Sequence, residues 1–140
     1  MMKLTKFNFS VHGGGKLVAI EGNQDVPFDI KRIYYIHACN EQDRRGFHAH
    51  KNLRQVLFAI HGSCKLDLDD GQEKMAITLD SPFEGIYIDR PMWREIYHFT
   101  NDCILMVLAS EHYAEDDYIR NYDDFIKFTK RENNVYPSSK

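Results

Sequence analysis

The sequence predicts an all-β domain, a sandwich or barrel of short strands finished by one C-terminal helix. Three observations predict it. Runs rich in β-branched and aromatic residues fill the first two-thirds of the chain. Turn signals part them at intervals of roughly 8 to 15 residues, the rhythm of a sandwich or barrel. Near residue 116 the apolar period then changes from that of a strand to that of a helix.

The elements follow in order. Residues 16–20, 30–36 and 55–60 are β-branched and aromatic runs, and 64–68 alternates apolar with polar before Asp69-Asp70-Gly71 supplies a hairpin turn. Residues 73–79, 85–89 and 103–109 read as further strands. From Asp116 to Phe128 the apolar positions 118, 119, 122, 125 and 126 recur at helical spacing. Asp116 and Asp117 suit the positive end of that helix, which should pack on the outside of the barrel. Residues 133–140 read as a frayed end.

Composition narrows the function classes. A chain of 140 residues fits one domain over residues 1–140, with no linker or repeat. No apolar run approaches the roughly 18 residues that cross a membrane. The first residues, MMKLTKFNFSVHGGGK, lack an apolar signal core, so a cytoplasmic protein is expected. Cys39, Cys64 and Cys103 are odd in number and form no CxxC pair, which points to reduced, buried thiols. A net charge of −3 without any Lys/Arg run excludes a nucleic-acid surface while allowing a local basic pocket for a phosphorylated ligand.

One segment carries chemistry: Arg44-Arg45-Gly46-Phe47-His48-Ala49-His50-Lys51. On a strand His48 and His50 share a face, and two imidazoles aimed into one interior make a metal site or an acid–base site. The surroundings resemble the two motifs of the cupins. Gln55 stands where a metal-binding cupin has glutamate, and Gly62 follows in place. Gly85 and Pro91 fit the second motif, but Trp93 replaces its last glycine and Ile96 its metal-binding histidine. Half of the metal's ligands are therefore missing, with His98 the nearest substitute, and no metal is expected. His48 and His50 are left to carry protons. A base that takes a proton beside a ketone needs a donor for the oxygen, and Tyr34, Arg45 and Arg94 are the candidates.

The segments LVAIEGNQDVPFDIKRIYYI, RGFHAHKNLRQVL, LDSPFEGIYIDRPMW and MVLASEHYAEDDYIRNYDDF closely resemble the sugar 3,4-ketoisomerase family. The resemblance implies a cupin, jelly-roll-like β-barrel with a C-terminal α-helix and no cofactor. It implies an enzyme that acts on thymidine-diphosphate (dTDP)-linked 4-keto-6-deoxy-D-glucose. The product is the 3-keto isomer, formed through an enediol on the way to 3-amino-3,6-dideoxysugars. His48 then looks like the base between C3 and C4, His50 its partner, and Tyr34 a residue on the sugar oxygens. Arg45, Arg94, Gln55, Trp93 and Arg32 become the substrate-binding candidates, although Trp93 by itself reads first as packing. A homodimer with exchanged strands is implied as well.

Two departures touch the product's configuration at C4. Many relatives read Trp-His where this chain has Trp93-Arg94, and the glycine-rich turn at residues 12–16 lacks the arginine or tyrosine of some relatives. Arg94 points toward the gluco product. A nucleotide-sugar 3,5-epimerase and a non-catalytic sugar-binding cupin are the rival readings. The first usually runs longer and lacks RGFHAHK; the second has no need of a proton carrier.

Overall fold

Alternating side chains build two five-stranded antiparallel sheets in the computed structural model, which describes residue 2 and residues 4–135, the last three by backbone alone. In chain order the strands are β1 (Thr5–Asn8), β2 (Val11–His12), β3 (Leu17–Val18), β4 (Arg32–Ile36), β5 (Arg45–His50) and β6 (Gln55–His61). There follow β7 (Cys64–Asp69), β8 (Lys74–Leu79), β9 (Glu84–Ile88), β10 (Trp93–Tyr97), β11 (Ile104–Ala109) and β12 (Tyr118–Ile119). Helix α1 (Tyr122–Val135) ends the described chain, and residues 136–140 of the expected frayed end lie outside it. One sheet has the order β1-β9-β6-β11-β4 and the other β12-β5-β10-β7-β8, while β2 and β3 form a separate hairpin. This is the cupin, jelly-roll-like arrangement with a C-terminal helix.

The main core lies between the sheets. Leu57, Ile86, Leu105 and Val107 from the first sheet meet Leu66, Leu68 and Ile96 from the second. The run Val56-Leu57-Phe58-Ala59 is apolar throughout because β6 is buried on both faces. Val56, Phe58 and Leu108 turn outward and are covered by Phe9, Val26 and Phe28 of the N-terminal segment. Cys64 and Cys103 also come together in the core, sulfur hydrogen-bonded to sulfur, and both are free thiols.

The tail departs from its expected form. Instead of one helix from 116, a 3₁₀ turn at Glu115–Asp117 leads into β12, and α1 begins only at Tyr122. Tyr118 and Ile119 satisfy the helical period, but they pair with His50 and Ala49 and so give the edge of β5 a partner. Asn121 starts the helix, its side-chain oxygen accepting from the Asp124 N–H at 3.0 Å. The expected strand at 16–20 shrinks to two residues, and β1 and β10 were not foreseen. Around the helix Phe125, Trp93, Ala49 and Ile119 form a third cluster. Among the described residues no helix is long and apolar enough to cross a membrane.

Phe125 is fully buried in that cluster. Replacing it with alanine should cost about 3–5 kcal/mol of stability. A chemical-denaturation midpoint that does not move would show that α1 is not docked.

Candidate active site

A cavity of about 460 Å³ opens between the sheets, bordered by Arg32, Tyr34, Arg45, His48, Arg94, Tyr118 and Arg120, among others. Strand parity delivers most of these. Arg32 and Tyr34 alternate with the exposed Ile33 and Tyr35 on β4. On β10, Arg94 and Ile96 alternate with Trp93 and Glu95. Arg45 and His48 are three apart, and simple alternation would set them on opposite faces. A β-bulge resolves the conflict. Arg45 pairs with Ile96 and His48 with Arg94, with a register shift between Arg94 and Glu95. Phe47 is the extra residue, at φ 58°, and Gly46 beside it has φ 95°. A Cβ on Gly46 would sit 2.7 Å from the Arg94 carbonyl oxygen, so the motif needs glycine here for space as well as for backbone angle.

The tautomers of both histidines follow from their partners. His48 Nδ1 lies 3.1 Å from the Gly46 carbonyl oxygen, which can only accept. Nδ1 therefore carries the hydrogen and Nε2 the lone pair. His50 Nδ1 lies 3.1 Å from Asp117 Oδ2, with the same result. The two rings meet edge to face at 4.9 Å. Burial first, and then the Arg94 charge, push His48 down to about 4 and His50 down to about 2. Contact between His50 and Asp117 would favour an ion pair, but burial and the surrounding guanidinium groups outweigh it. Both imidazoles are neutral at pH 7.

A hydrogen-bonded chain crosses from one sheet to the other. Arg94 donates through Nη1 to Gln55 Oε1 and through Nη2 to the Met92 carbonyl at 3.2 Å. Gln55 Nε2 donates to the Tyr34 hydroxyl at 2.9 Å. Burial raises the Tyr34 hydroxyl above its ordinary range, which keeps it protonated. Arg94 is wholly buried and lowered to about 10 by desolvation, so it stays charged at pH 7. These contacts bear on the cupin metal question. The Gln55 oxygen, its sole donor for a cation, already accepts from a fixed positive charge, and Ile96 offers nothing. Among the described residues no three of His, Cys, Asp and Glu are grouped to hold a metal ion. His98, the proposed substitute, is exposed beyond the end of β10.

Comparison with known proteins shows the family. Residues 1–130 match the family described as FdtA: WxcM-like, C-terminal. The chain is 49% identical over 131 residues to the TDP-4-oxo-6-deoxy-alpha-D-glucose-3,4-oxoisomerase of Aneurinibacillus thermoaerophilus, covering 94% of each chain. The crystal structure of QdtA, a sugar 3,4-ketoisomerase from Thermoanaerobacterium thermosaccharolyticum in complex with TDP, superposes with a TM-score of 0.90. Identity to it is 45%, over 92% of this chain and 96% of that one. A 3,4-ketoisomerase from Helicobacter canadensis gives a TM-score of 0.88 at 41% identity, over 93% and 99% of the two chains. The chain belongs to the sugar 3,4-ketoisomerase family.

The ketoisomerase fold gathers His48, Tyr34, Arg32, Arg45 and Arg94 around one cavity, with Gln55 and His50 buried beside it. Trp93 is not among them. It points to the opposite face of β10, 5.4 Å from the Tyr122 ring and 6.0 Å from that of Phe125, so the expected ligand contact gives way to packing under α1. There Trp93 borders a larger cavity of about 710 Å³ that holds neither histidine. His12, His37, His61, His98 and His112 are all exposed.

Sequence reasoning missed the segment before α1. Tyr118 packs with its ring tilted 4.3 Å from that of His50 and 5.0 Å from that of His48, and Arg120 lies 4.1 Å over its ring. Arg120 is paired in turn with Glu115 at 2.6 and 2.8 Å. Tyr118 and Arg32 also border a second cavity of about 470 Å³ on the His50 side, and form the wall between the two. The signal was available. Asn121 followed three residues on by Asp124 is a helix-start pattern, and placing the helix at 122 frees Tyr118 for a strand.

Both imidazoles should stay neutral well below their ordinary value of 6.5. An NMR titration of the ring protons should show His48 taking up a proton near pH 4, and the Arg94→Met variant should move that midpoint upward. Since the unfolded chain binds these protons first, stability should be lost as pH falls below about 6.5. Gly46→Ala should destabilise by about 1–3 kcal/mol, read from the denaturation midpoint, because the bulge cannot hold a Cβ.

Proposed function

We propose that this chain converts dTDP-4-keto-6-deoxy-D-glucose into its 3-keto isomer, using His48 to carry a proton between C3 and C4 through an enediol. The observation that carries the reading is the His48 tautomer. With Nδ1–H bound to the Gly46 carbonyl, Nε2 is an unprotonated base in a ring that borders the cavity. A positioned base of this kind contributes about 10²- to 10⁴-fold. Tyr34, kept protonated and held by Gln55, faces the oxygen where charge develops, with the buried Arg94 guanidinium behind it. His50 completes the catalytic pair. Five guanidinium groups (Arg32, Arg44, Arg45, Arg94 and Arg120) border the cavity of a chain whose net charge is −3, which suits a diphosphate-linked sugar. A place in 3-amino-3,6-dideoxysugar formation, in a cytoplasm that keeps the three thiols reduced, fits this substrate.

Proton NMR of the protein with this substrate in deuterated water tests the reading. A 3-keto species with deuterium at C3 or C4 is expected, and its coupling pattern gives the configuration at C4. His48→Asn should abolish both exchange and isomerisation. Exchange at C3 and C5 with the ketone still at C4 would favour an epimerase, and ligand broadening without exchange a sugar-binding cupin.

A homodimer accompanies this reading. Strand β4 is an edge of its sheet and exposes Ile33 and Tyr35, each more than half accessible. Beside it an apolar groove of about 570 Å³ is bordered by Val18, Ile30, Ile33 and Met106. The β2–β3 hairpin joins neither large sheet, which suits exchange with a second copy of the chain. Light scattering should give twice the chain mass, and Tyr35→Glu should shift it toward the monomer.

A further inference from the structure

Positive charge is unevenly spread over this chain. The cavity beside Trp93 sets Asp67, Asp69 and Glu95 against Lys74 alone, and the one on the His50 side sets Glu111, Asp116 and Asp117 against Arg32. A groove of about 330 Å³ outside β12 has the opposite sign. Lys51, Arg120, Lys127 and Arg131 border it with one carboxylate, that of Asp124. Arg120 is answered by Glu115, at 2.6 and 2.8 Å. Lys51, Lys127 and Arg131 are exposed and form no ion pair among the described residues. In a chain of net charge −3 this is a local reversal.

Helical spacing and strand pairing build the groove. On α1, Asp124, Lys127 and Arg131 fall at i, i+3 and i+7 along one face, while Phe125 and Thr129 are buried on another. Strand β12 pairs with the end of β5, which brings Lys51 beside the helix. Tyr118 and Arg120 border this groove and the substrate cavity alike, so the outer cations adjoin the guanidinium groups inside. None of Lys51, Lys127 and Arg131 borders the cavity that holds His48. Their charge therefore acts on a ligand while it approaches, not on the reacting atoms in place.

We propose that this groove captures the diphosphate of the incoming nucleotide sugar and passes it across Arg120 into the cavity. It speeds association and takes no part in the chemistry. This rests on the reading of the substrate as a dTDP-linked sugar. Attraction of this kind raises association rates about 10- to 10³-fold and falls steeply with salt.

Stopped-flow mixing with dTDP that carries a fluorescent N-methylanthraniloyl group on its ribose tests the groove. Lys127→Glu/Arg131→Glu should slow association about 10-fold at about 0.01 M ionic strength and leave dissociation unchanged. At about 1 M, where the screening length is about 3 Å, its association rate should meet that of the wild type. Lys65→Glu/Lys130→Glu is the control, an equal change of net charge at exposed residues that do not border the groove. Equal slowing in the control overturns the proposal, because net charge alone would then account for it. Faster dissociation with unchanged association overturns it too, since the groove would then hold the bound ligand. Melting temperatures check that each variant is folded. Should charge reversal unsettle α1, Lys127→Gln/Arg131→Gln is read in the same way. A wild-type chain that does not bind the labelled dTDP at either salt overturns the groove and the substrate reading together. Salt-dependent capture in a chain that forms no 3-keto sugar leaves the groove standing and removes the isomerase reading alone.

Discussion

The buried charge of Arg94 is the constraint on which the rest of the site depends. A guanidinium 3% exposed between two sheets is costly to bury; here Nη1 and Nη2 reach Gln55 and the Met92 carbonyl, while Nε has no hydrogen-bond partner among the described residues. Once in place it fixes Gln55, and through Gln55 the Tyr34 hydroxyl. Its charge also helps to keep both imidazoles neutral. Where the metal-binding cupin motif has a carboxylate and a histidine, this chain has Gln55, which accepts from Arg94, and Ile96.

The bulge on β5 is the second constraint. Without it Arg45 and His48 could not both border the cavity, because a strand turns successive residues to opposite faces. The extra residue, Phe47, takes a left-handed backbone conformation, and Gly46 allows the Arg94 carbonyl to approach. That same Gly46 offers its own carbonyl to His48 Nδ1. One glycine thus settles the strand register, the facing of Arg45 and the tautomer of His48. The cost of a strained backbone is held here by ten strands of packing, a common arrangement at functional sites.

Much of this was legible in the residues. The order of strands β4, β6, β7, β8, β9 and β11 followed from apolar runs and turns, because a half-buried sheet leaves a period of two. The histidine pair, Tyr34, Gln55 and Arg94 were picked out by motif. Strand β10 was not, since Trp93-Arg94-Glu95-Ile96-Tyr97 carries two charged residues in five, one of them buried. Trp93 was drawn into the ligand site by its neighbourhood in the chain, although neighbours on a strand face opposite ways. The tail was misread for a physical reason too. Tyr118 and Ile119 fit a helix equally well, and only the open edge of β5 decides for a strand.

The sequence by itself determined the fold class, the shared face of His48 and His50, and the placing of Gln55 and Ile96 at the positions of cupin ligands, for these depend on residue type and local spacing. Tertiary structure alone decided which ring nitrogen of each histidine bears the hydrogen and which way each faces. Those answers come from the Gly46 carbonyl, from Asp117, which is 67 residues from His50, and from Arg94 on another strand. Hydrogen-bond partners and burial are long-range properties, and no local pattern records them.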